Sequence, residues 1–403
     1  MMKNIKKDFP LFQNYKSLIY FDNAATTQKP QQVIDSIINF YTKHNANVHR
    51  GVYSFSETAT TLFNNARKKI AKFINADVNE IAFTRGTTEG INLVALSWAE
   101  KNIFAEDAII ISQMEHFANL IPWQQFAHKK RVRLLIVPIT NTGELDLKTY
   151  QDFLSNNKVK LVAITHISNV LGTRNDVEFL TQEAHKFGAK ILIDAAQSVA
   201  HEKVDVKKID ADFLVFSGHK LLGPTGIGIL YIKYAIAKDL APVEFGGGMV
   251  KQGGFEKSTW LEFPYSFEAG TPAIADVIGL GSAIDYINEN INFDALKKHE
   301  ALLCSKLIDG LSKFPRIKIL GPIEQLKKNG HIVNFVVDGI HAHDVAAYLD
   351  KHNICVRAGH HCAQPLHQVL DLDASVRVSF YGYNNEQEVE FFIQKIEEML
   401  KKL

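Results

Sequence analysis

Ala211-Asp212-Phe213-Leu214-Val215-Phe216-Ser217-Gly218-His219-Lys220 is the stretch that decides the fold. Its apolar run carries no polar alternation, so it reads as a strand buried on both faces. Strands of that kind belong to parallel sheets sandwiched between helices. The run then ends in serine, glycine, histidine and lysine. A lysine at the mouth of a buried strand is desolvated, and desolvation lowers its pKa and makes the amine a nucleophile toward an aldehyde. The plainer alternative is a strand that runs out into polar loop residues, and the rest of the chain has to choose between the two.

Similar runs recur outward from this one. Glu80-Ile81-Ala82-Phe83-Thr84, Ala108-Ile109-Ile110-Ile111, Leu134-Leu135-Ile136-Val137, Leu161-Val162-Ala163-Ile164 and Lys190-Ile191-Leu192-Ile193 all read as buried strands. Helical patterns separate them; Ile91, Val94, Ala95 and Trp98, for example, fall on one helix face. Strands alternating with helices predict an α/β fold, with a mostly parallel sheet in a large domain over residues 18–288. Beyond about residue 288 the pattern turns to charged helices and shorter strands. The last helix is expected to bury Val389, Phe392, Ile393 and Ile396 and to expose Glu390, Lys395 and Glu397. A smaller C-terminal α+β domain over 289–403 follows, with residues 1–17 as a joining N-terminal segment. No repeat, low-complexity tract or Pro/Gly-rich linker marks the boundary.

Composition narrows the function classes. The 403 residues include 45 basic and 44 acidic side chains, so no net field draws the chain to nucleic acid or to an anionic membrane. The basic start Lys3-Asn4-Ile5-Lys6-Lys7 is followed by Asp8-Phe9-Pro10 instead of an apolar signal core. No apolar run approaches the ~20 residues of a membrane span. Cys304, Cys355 and Cys362 are too few and too scattered for a disulfide framework, which points to free thiols in a reducing cytoplasm.

Candidate catalytic groups cluster where the strands end, which is where open α/β sheets bind ligands. Asp194 directly follows Ile191-Leu192-Ile193 and would need a cation, a role that a protonated pyridine nitrogen fills. Gln197 lies within reach of a phenolic oxygen on the same ring; the plainer reading makes Asp194 a helix cap. Arg85-Gly86-Thr87-Thr88-Glu89-Gly90 joins a strand to a helix, and helix-terminal N–H groups with the Thr87 and Thr88 hydroxyls make a phosphate cradle or an unliganded turn. The spacing is neither a P-loop nor a dinucleotide fingerprint. His116 follows another strand and is placed either to stack on an aromatic cofactor or to serve structure.

Phosphate cradle, stacking histidine, pyridinium partner and Schiff-base lysine occur in that chain order. The order resembles fold-type I pyridoxal-phosphate (PLP) transferases, the class V aminotransferase group in particular. Asn23-Ala24-Ala25, Val48-His49-Arg50-Gly51, Ser168-Asn169-Val170-Leu171-Gly172, Phe267-Glu268-Ala269-Gly270-Thr271-Pro272 and Arg357-Ala358-Gly359-His360-His361-Cys362-Ala363 narrow it further. With residues 85–90 and 217–220, they resemble SUF-type cysteine desulfurases, which take sulfur from cysteine for iron–sulfur cluster assembly. The compact cysteine loop resembles the group II branch.

The resemblance implies a role for each matched residue. Lys220 would hold pyridoxal 5'-phosphate and move the substrate Cα proton. Asp194 would pair with the ring nitrogen, Gln197 with the phenolic oxygen, and His116 would stack on the ring. Thr87, Thr88, Ser217 and His219 would hold the phosphate, with Thr271 reaching in from the other subunit of a homodimer. Asn169, Arg357 and Arg377 would bind L-cysteine, Asn169 and Arg377 at its carboxylate; Asn169 would also touch the cofactor, and Arg357 would also sit beside the thiolate of Cys362, the sulfur acceptor. The histidine in His341-Ala342-His343-Asp344 at position 343 resembles the subset that hands sulfur to a zinc-bearing scaffold protein, where it would displace a cysteine ligand from that partner's zinc. As a metal site within this chain the stretch fits no common zinc spacing. His360 and His361 read as nucleophile neighbours or loop packing, and Cys304 and Cys355 as core filler. A selenocysteine lyase, an aminotransferase or an epimerase would keep the same cofactor apparatus, although Cys362 argues against the last two. A non-catalytic sulfur carrier would not need Lys220 or Asp194.

Overall fold

The structure, a computed structural model, describes residues 3–238 and 240–402. Its centre is a seven-stranded sheet built from β1 (Ile81–Thr84), β2 (Ala108–Ser112), β3 (Arg133–Val137), β4 (Val159–Thr165), β5 (Lys190–Asp194), β6 (Phe213–Ser217) and β7 (Gly228–Ile232). The strand order is β1-β7-β6-β5-β4-β2-β3. Strand β7 runs antiparallel to both its neighbours, β1 and β6, and every other pairing is parallel. Two reversals cancel, so β1 points the same way as β2 to β6. The carboxyl ends of six strands therefore meet along one edge.

Burial on two faces explains the unbroken apolar runs except Leu134–Val137, which lies on the edge strand β3 with Leu134 and Leu135 half-buried and Ile136 exposed. Ile110, Val162, Ile164, Ile191, Ile193, Leu214 and Phe216 pack into one core. Their sequence neighbours Ile109, Ile111, Leu161, Ala163, Leu192, Phe213 and Val215 pack into a second core on the other face. Alternate residues on a strand point to opposite faces, so a strand covered by helices on both sides has no polar position to offer.

A four-stranded antiparallel sheet lies toward the C-terminus: β8 (Ile317–Leu320), β9 (Ile332–Val337), β10 (Arg357–Gly359) and β11 (Ser375–Ser379), in the order β8-β9-β11-β10. Phe335, Val378, Cys304 and Phe392 share its core, so Cys304 fills space. In the last helix, Glu386–Lys402, Val389, Phe392 and Ile396 are buried as their spacing predicts. Ile393 is only half-buried, while Met399 is buried. Residue 288 falls inside the continuous helix Ile274–Asn290; that helix ends before Ile291, and the next, Phe293–Leu311, begins two residues later.

Outside the sheet edge, His201, Glu300 and His331 form a buried group of potential metal ligands. The two imidazoles stack at 3.6 Å with planes 13° apart, so one ion cannot lie in the plane of both rings. His201 Nδ1 is instead hydrogen-bonded to Glu300 Oε1 at 2.8 Å.

One ion pair fixes how the segment 267–272 meets the sheet. Arg67, on the helix Ser54–Phe73, is 1% exposed and forms a two-pronged pair with Glu268 at 2.7 and 2.6 Å. It also donates to Ile81 O, and Glu268 accepts from Phe83 N at 2.8 Å. The guanidinium lies 4.4 Å from the Phe83 ring centroid. Removing one partner of a buried pair strands the other charge, at a cost of about 3–5 kcal/mol. Arg67→Met should lower unfolding stability by about that amount, read as a shift in the urea midpoint.

Candidate active site

The strand ends surround a cavity of about 270 Å³. Of the residues singled out in the sequence, Thr87, Thr88, His116, Asn169, Asp194, Gln197, Ser217, His219, Lys220, Arg357, Cys362 and Arg377 line it. Thr271 and His343 do not. Thr271 is exposed beside Asn47, and His343 is exposed near the start of the helix Ala342–Asp350.

Lys220 follows β6 in a single turn of 3-10 helix, Gly218–Lys220. Burial pulls its amine down to about 8, against the pull of the Asp194 anion. Asp194 ends β5 with one oxygen held by Ala196 N at 2.9 Å, and burial pushes its carboxyl up. Gln197 donates its amide to Ala24 O at 2.8 Å, so it ties the cavity wall to the N-terminal segment.

The turn that carries Lys220 is itself anchored. His219 O accepts from Thr27 N at 3.1 Å and from Lys29 Nζ at 2.8 Å, and Thr27 Oγ1 accepts from Leu222 N at 2.9 Å. The ammonium of Lys29 has no carboxylate partner among the described residues, and burial lowers it to about 7.

On the opposite wall, Thr87 opens the helix Thr87–Val94 directly after Gly86. Ser217 Oγ accepts from Thr87 N at 2.9 Å and meets Thr87 Oγ1 at 2.8 Å, which joins the two halves of the cradle. Glycine is required here by contact. A Cβ on Gly228 would sit 2.4 Å from Gly86 Cα, and one on Gly90 would sit 2.8 Å from Val215 Cγ1. The helix start is thereby pressed onto the sheet, with first-turn N–H groups and hydroxyls toward the cavity.

His116 caps the helix Phe117–Lys130, its Nδ1 accepting from Ala118 N at 3.0 Å, which leaves the proton on Nε2. Burial and the nearby Lys220 and Arg377 cations hold it down to about 4, so the ring is neutral at physiological pH. Behind it, the fully enclosed Glu115 is pushed up to about 8 by burial. It joins Ser112, Asn119 and Thr165 N, and so knits the ends of β2 and β4 to the helix start.

Cys362 is exposed and follows β10 in an unusual backbone state. His361 and Cys362 have φ of +52° and +57°. Left-handed geometry costs a non-glycine residue about 1–3 kcal/mol and persists only where surroundings enforce it. Here Phe117 N donates to Cys362 O at 2.8 Å, and Asn169 Nδ2 to His361 O at 2.8 Å. His361 and His367 share Ser375 Oγ at 3.1 and 2.8 Å. Burial holds His361 well below the usual imidazole range, so it is a neutral loop anchor. Cys355 is half-buried, and burial raises its thiol pKa.

Asp22 was not singled out in the sequence. Its carboxylate takes Arg357 at 2.7 Å and reaches Arg377 at 3.4 Å. The only trace in the sequence is its place directly before Asn23-Ala24-Ala25, since its partners come from the far end of the chain. Arg377 donates to Asn169 O at 2.9 Å, and burial lowers it to about 10, still a cation.

A strand-end lysine, a buried aspartate and a glycine-backed cradle on one edge of this sheet are the architecture of a PLP-dependent transferase. The chain belongs to the class-V aminotransferase family, whose model matches residues 19–392. A probable cysteine desulfurase of Halalkalibacterium halodurans is 46% identical over 397 residues, covering 98% of this chain and 96% of that protein. The apo structure of a cysteine desulfurase from Thermococcus onnurineus NA1 superposes with a TM-score of 0.95 at 40% identity, covering 100% of both chains. The cysteine desulfurase CsdA from Escherichia coli gives 0.91 at 33% identity, over 99% of this chain and 98% of that one.

Only the neutral amine adds to a carbonyl. Reductive trapping of Lys220 in the cofactor-free protein by a small neutral aldehyde should therefore rise as pH passes about 8. Asp194→Asn removes the anion that favours the ammonium and should move the midpoint to lower pH. A midpoint in the range of a free lysine would contradict the burial argument.

Proposed function

We propose that the chain is a PLP-dependent cysteine desulfurase of the SUF type, group II branch. It would convert L-cysteine to L-alanine, leave a persulfide on Cys362, and supply sulfur for iron–sulfur cluster assembly. The observation that carries the reading is Cys362, held in a left-handed turn on the wall of the cavity that Lys220 enters.

The residues present fit pyridoxal phosphate. Asp194 is a buried carboxylate whose one hydrogen bond among the described residues leaves it in need of a cation, which a protonated pyridine nitrogen supplies. Thr87, Thr88, Ser217 and His219 would hold the phosphate, His116 would lie against the ring, and Gln197 would reach its phenolic oxygen. Lys220 would hold the cofactor through its amine. When bound, the cofactor supplies the electron sink that makes a substrate Cα–H acidic.

The chain's own groups carry out the remaining steps. Arg377, oriented by Asn169 O, takes the substrate carboxylate. Lys220, deprotonating near neutral pH, moves the Cα proton. The Cys362 thiolate attacks the substrate sulfur, an S–S bond forms as the Cβ–S bond breaks, and the electron pair stays with carbon, which is reprotonated to alanine. Neutral His116 adds no further positive charge to a site already holding Lys220 and Arg377.

Partner readings rest on exposure. Thr271 lies outside its own cavity, and Val52, Tyr53, Phe55, Phe245 and Phe255 are exposed apolar side chains; a homodimer would cover such surface and bring Thr271 to the other subunit's phosphate. A Cβ at Gly359 would lie 3.8 Å from His343 Nε2, so this imidazole stands beside the strand leading to Cys362. That favours a zinc-bearing acceptor docking over the cysteine loop. No helix among the described residues is long and apolar enough to cross a membrane, and three free cysteines suit the cytoplasm. We divide the chain near residue 288 into a PLP-binding domain and a C-terminal α+β domain, with the break at the turn after Asn290.

Alanine release from L-cysteine tests the reading. Cys362→Ser should lose about 100-fold or more in turnover while retaining the cofactor, because a hydroxyl is a poor acceptor of sulfur. Full turnover in that variant would move the nucleophile elsewhere. His343→Ala should keep basal alanine release and lose its stimulation by a zinc-bearing acceptor; equal stimulation of variant and parent would refute that partner.

A further inference from the structure

Arg357 and Arg377 occupy facing positions on β10 and β11. Like charges directly opposite one another across antiparallel strands repel. Asp22 sits beside them, bridged through its backbone to Ser379. Its carboxylate does not divide itself evenly. Oδ2 accepts from Arg357 Nη2 at 2.7 Å and Oδ1 from Arg357 Nε at 3.3 Å. Arg377 Nη2 stands 3.4 Å from Oδ1, too long for a strong charge-assisted bond. Arg377 is 3% exposed, its Nη1 is taken by Asn169 O, and its buried Nε has no partner among the described residues.

We infer that Asp22 divides the charge of the site, neutralising Arg357 and leaving Arg377, of these two arginines, open to a substrate carboxylate. The identity of that substrate rests on the desulfurase reading; the division of charge does not. Arg357 has a half-exposed side chain and lies on the strand that leads to Cys362. Released from Asp22, it would offer a second, misplaced anchor, and a carboxylate held there would carry the substrate sulfur off line with the thiol. Asp22 is therefore a positioning residue that decides which arginine the substrate meets. The side-chain bonds of Asp22 run to these two arginines, so Asp22→Asn changes charge with little change of shape.

The probe is propionate, a carboxylate without an amine or a sulfur, titrated calorimetrically into the holoenzyme beside steady-state alanine release from L-cysteine. In Asp22→Asn the local charge rises by one, and propionate should bind about tenfold more tightly. The kcat should fall about tenfold without a rise in KM, the signature of more binding in the wrong place. A merely structural defect would weaken binding and catalysis together. The double variant Asp22→Asn/Arg357→Gln removes the released cation as well and should return propionate affinity to within about threefold of the parent. Unchanged or weaker propionate binding in Asp22→Asn, or no return in the double variant, would overturn the inference. A parent enzyme that binds propionate in the expected pattern yet releases no alanine from cysteine would uphold the charge division and sink the desulfurase reading.

Discussion

Asp22, Asn23 and Ala24 lie against one end of β11, and Thr27, three residues further on, grips the turn that carries Lys220. Asn23 Nδ2 donates to Ser379 O at 2.7 Å and Ala24 N to Ser379 Oγ at 2.9 Å. Ala24 O takes the amide of Gln197, while Thr27 and Lys29 hold the carbonyl of His219. Upstream, Ile19–Tyr20 pairs in parallel with Ile354–Cys355, next to β10. One short segment near the N-terminus thus fixes the distance between the strand-end lysine and the strands that bring Arg357, Cys362 and Arg377. Without that stitch the two sheets would each fold around a core of their own, but the cavity between them would have no defined width.

Burial sets the protonation states within the cavity. It lowers Lys220 toward neutrality and keeps His116 uncharged, and beneath the lysine turn it lowers Lys29 as well. It also raises Glu115 to about 8, so the group behind His116 carries a proton at physiological pH. Arg377 on the wall stays a cation, and Asp194 on the floor is a desolvated carboxyl, each placed to meet a complementary charge that a ligand would bring. Preorganised charge of this kind acts in a low dielectric and needs no reorganisation when the ligand arrives.

The sheet was legible because strands buried on both faces leave no polar position, and five of the six runs are buried in that way; the sixth, Leu134–Val137, lies on the edge strand β3, where Ile136 is 45% exposed. The strand-end residues were legible for the same reason: a polar group placed directly after such a run has only the carboxyl edge to go to. The partners of Asp22 and of Glu268 were not legible, since each pair joins residues hundreds of positions apart and a place beside or within a motif does not say which cation a carboxylate meets. The left-handed turn at His361 and Cys362 was equally hidden, because non-glycine residues adopt it only under constraint from Phe117 N and Asn169.

The central claim is that sulfur leaves L-cysteine for Cys362 at this cavity. The most direct measurement is peptide mass spectrometry of the holoenzyme after one turnover with L-cysteine and no acceptor, alongside the alanine formed. The account predicts one added sulfur atom on the peptide containing Cys362, in step with one alanine per site, and none on Cys304 or Cys355. Alanine formed with no added sulfur on Cys362, or with the sulfur on either of the other thiols, would contradict it.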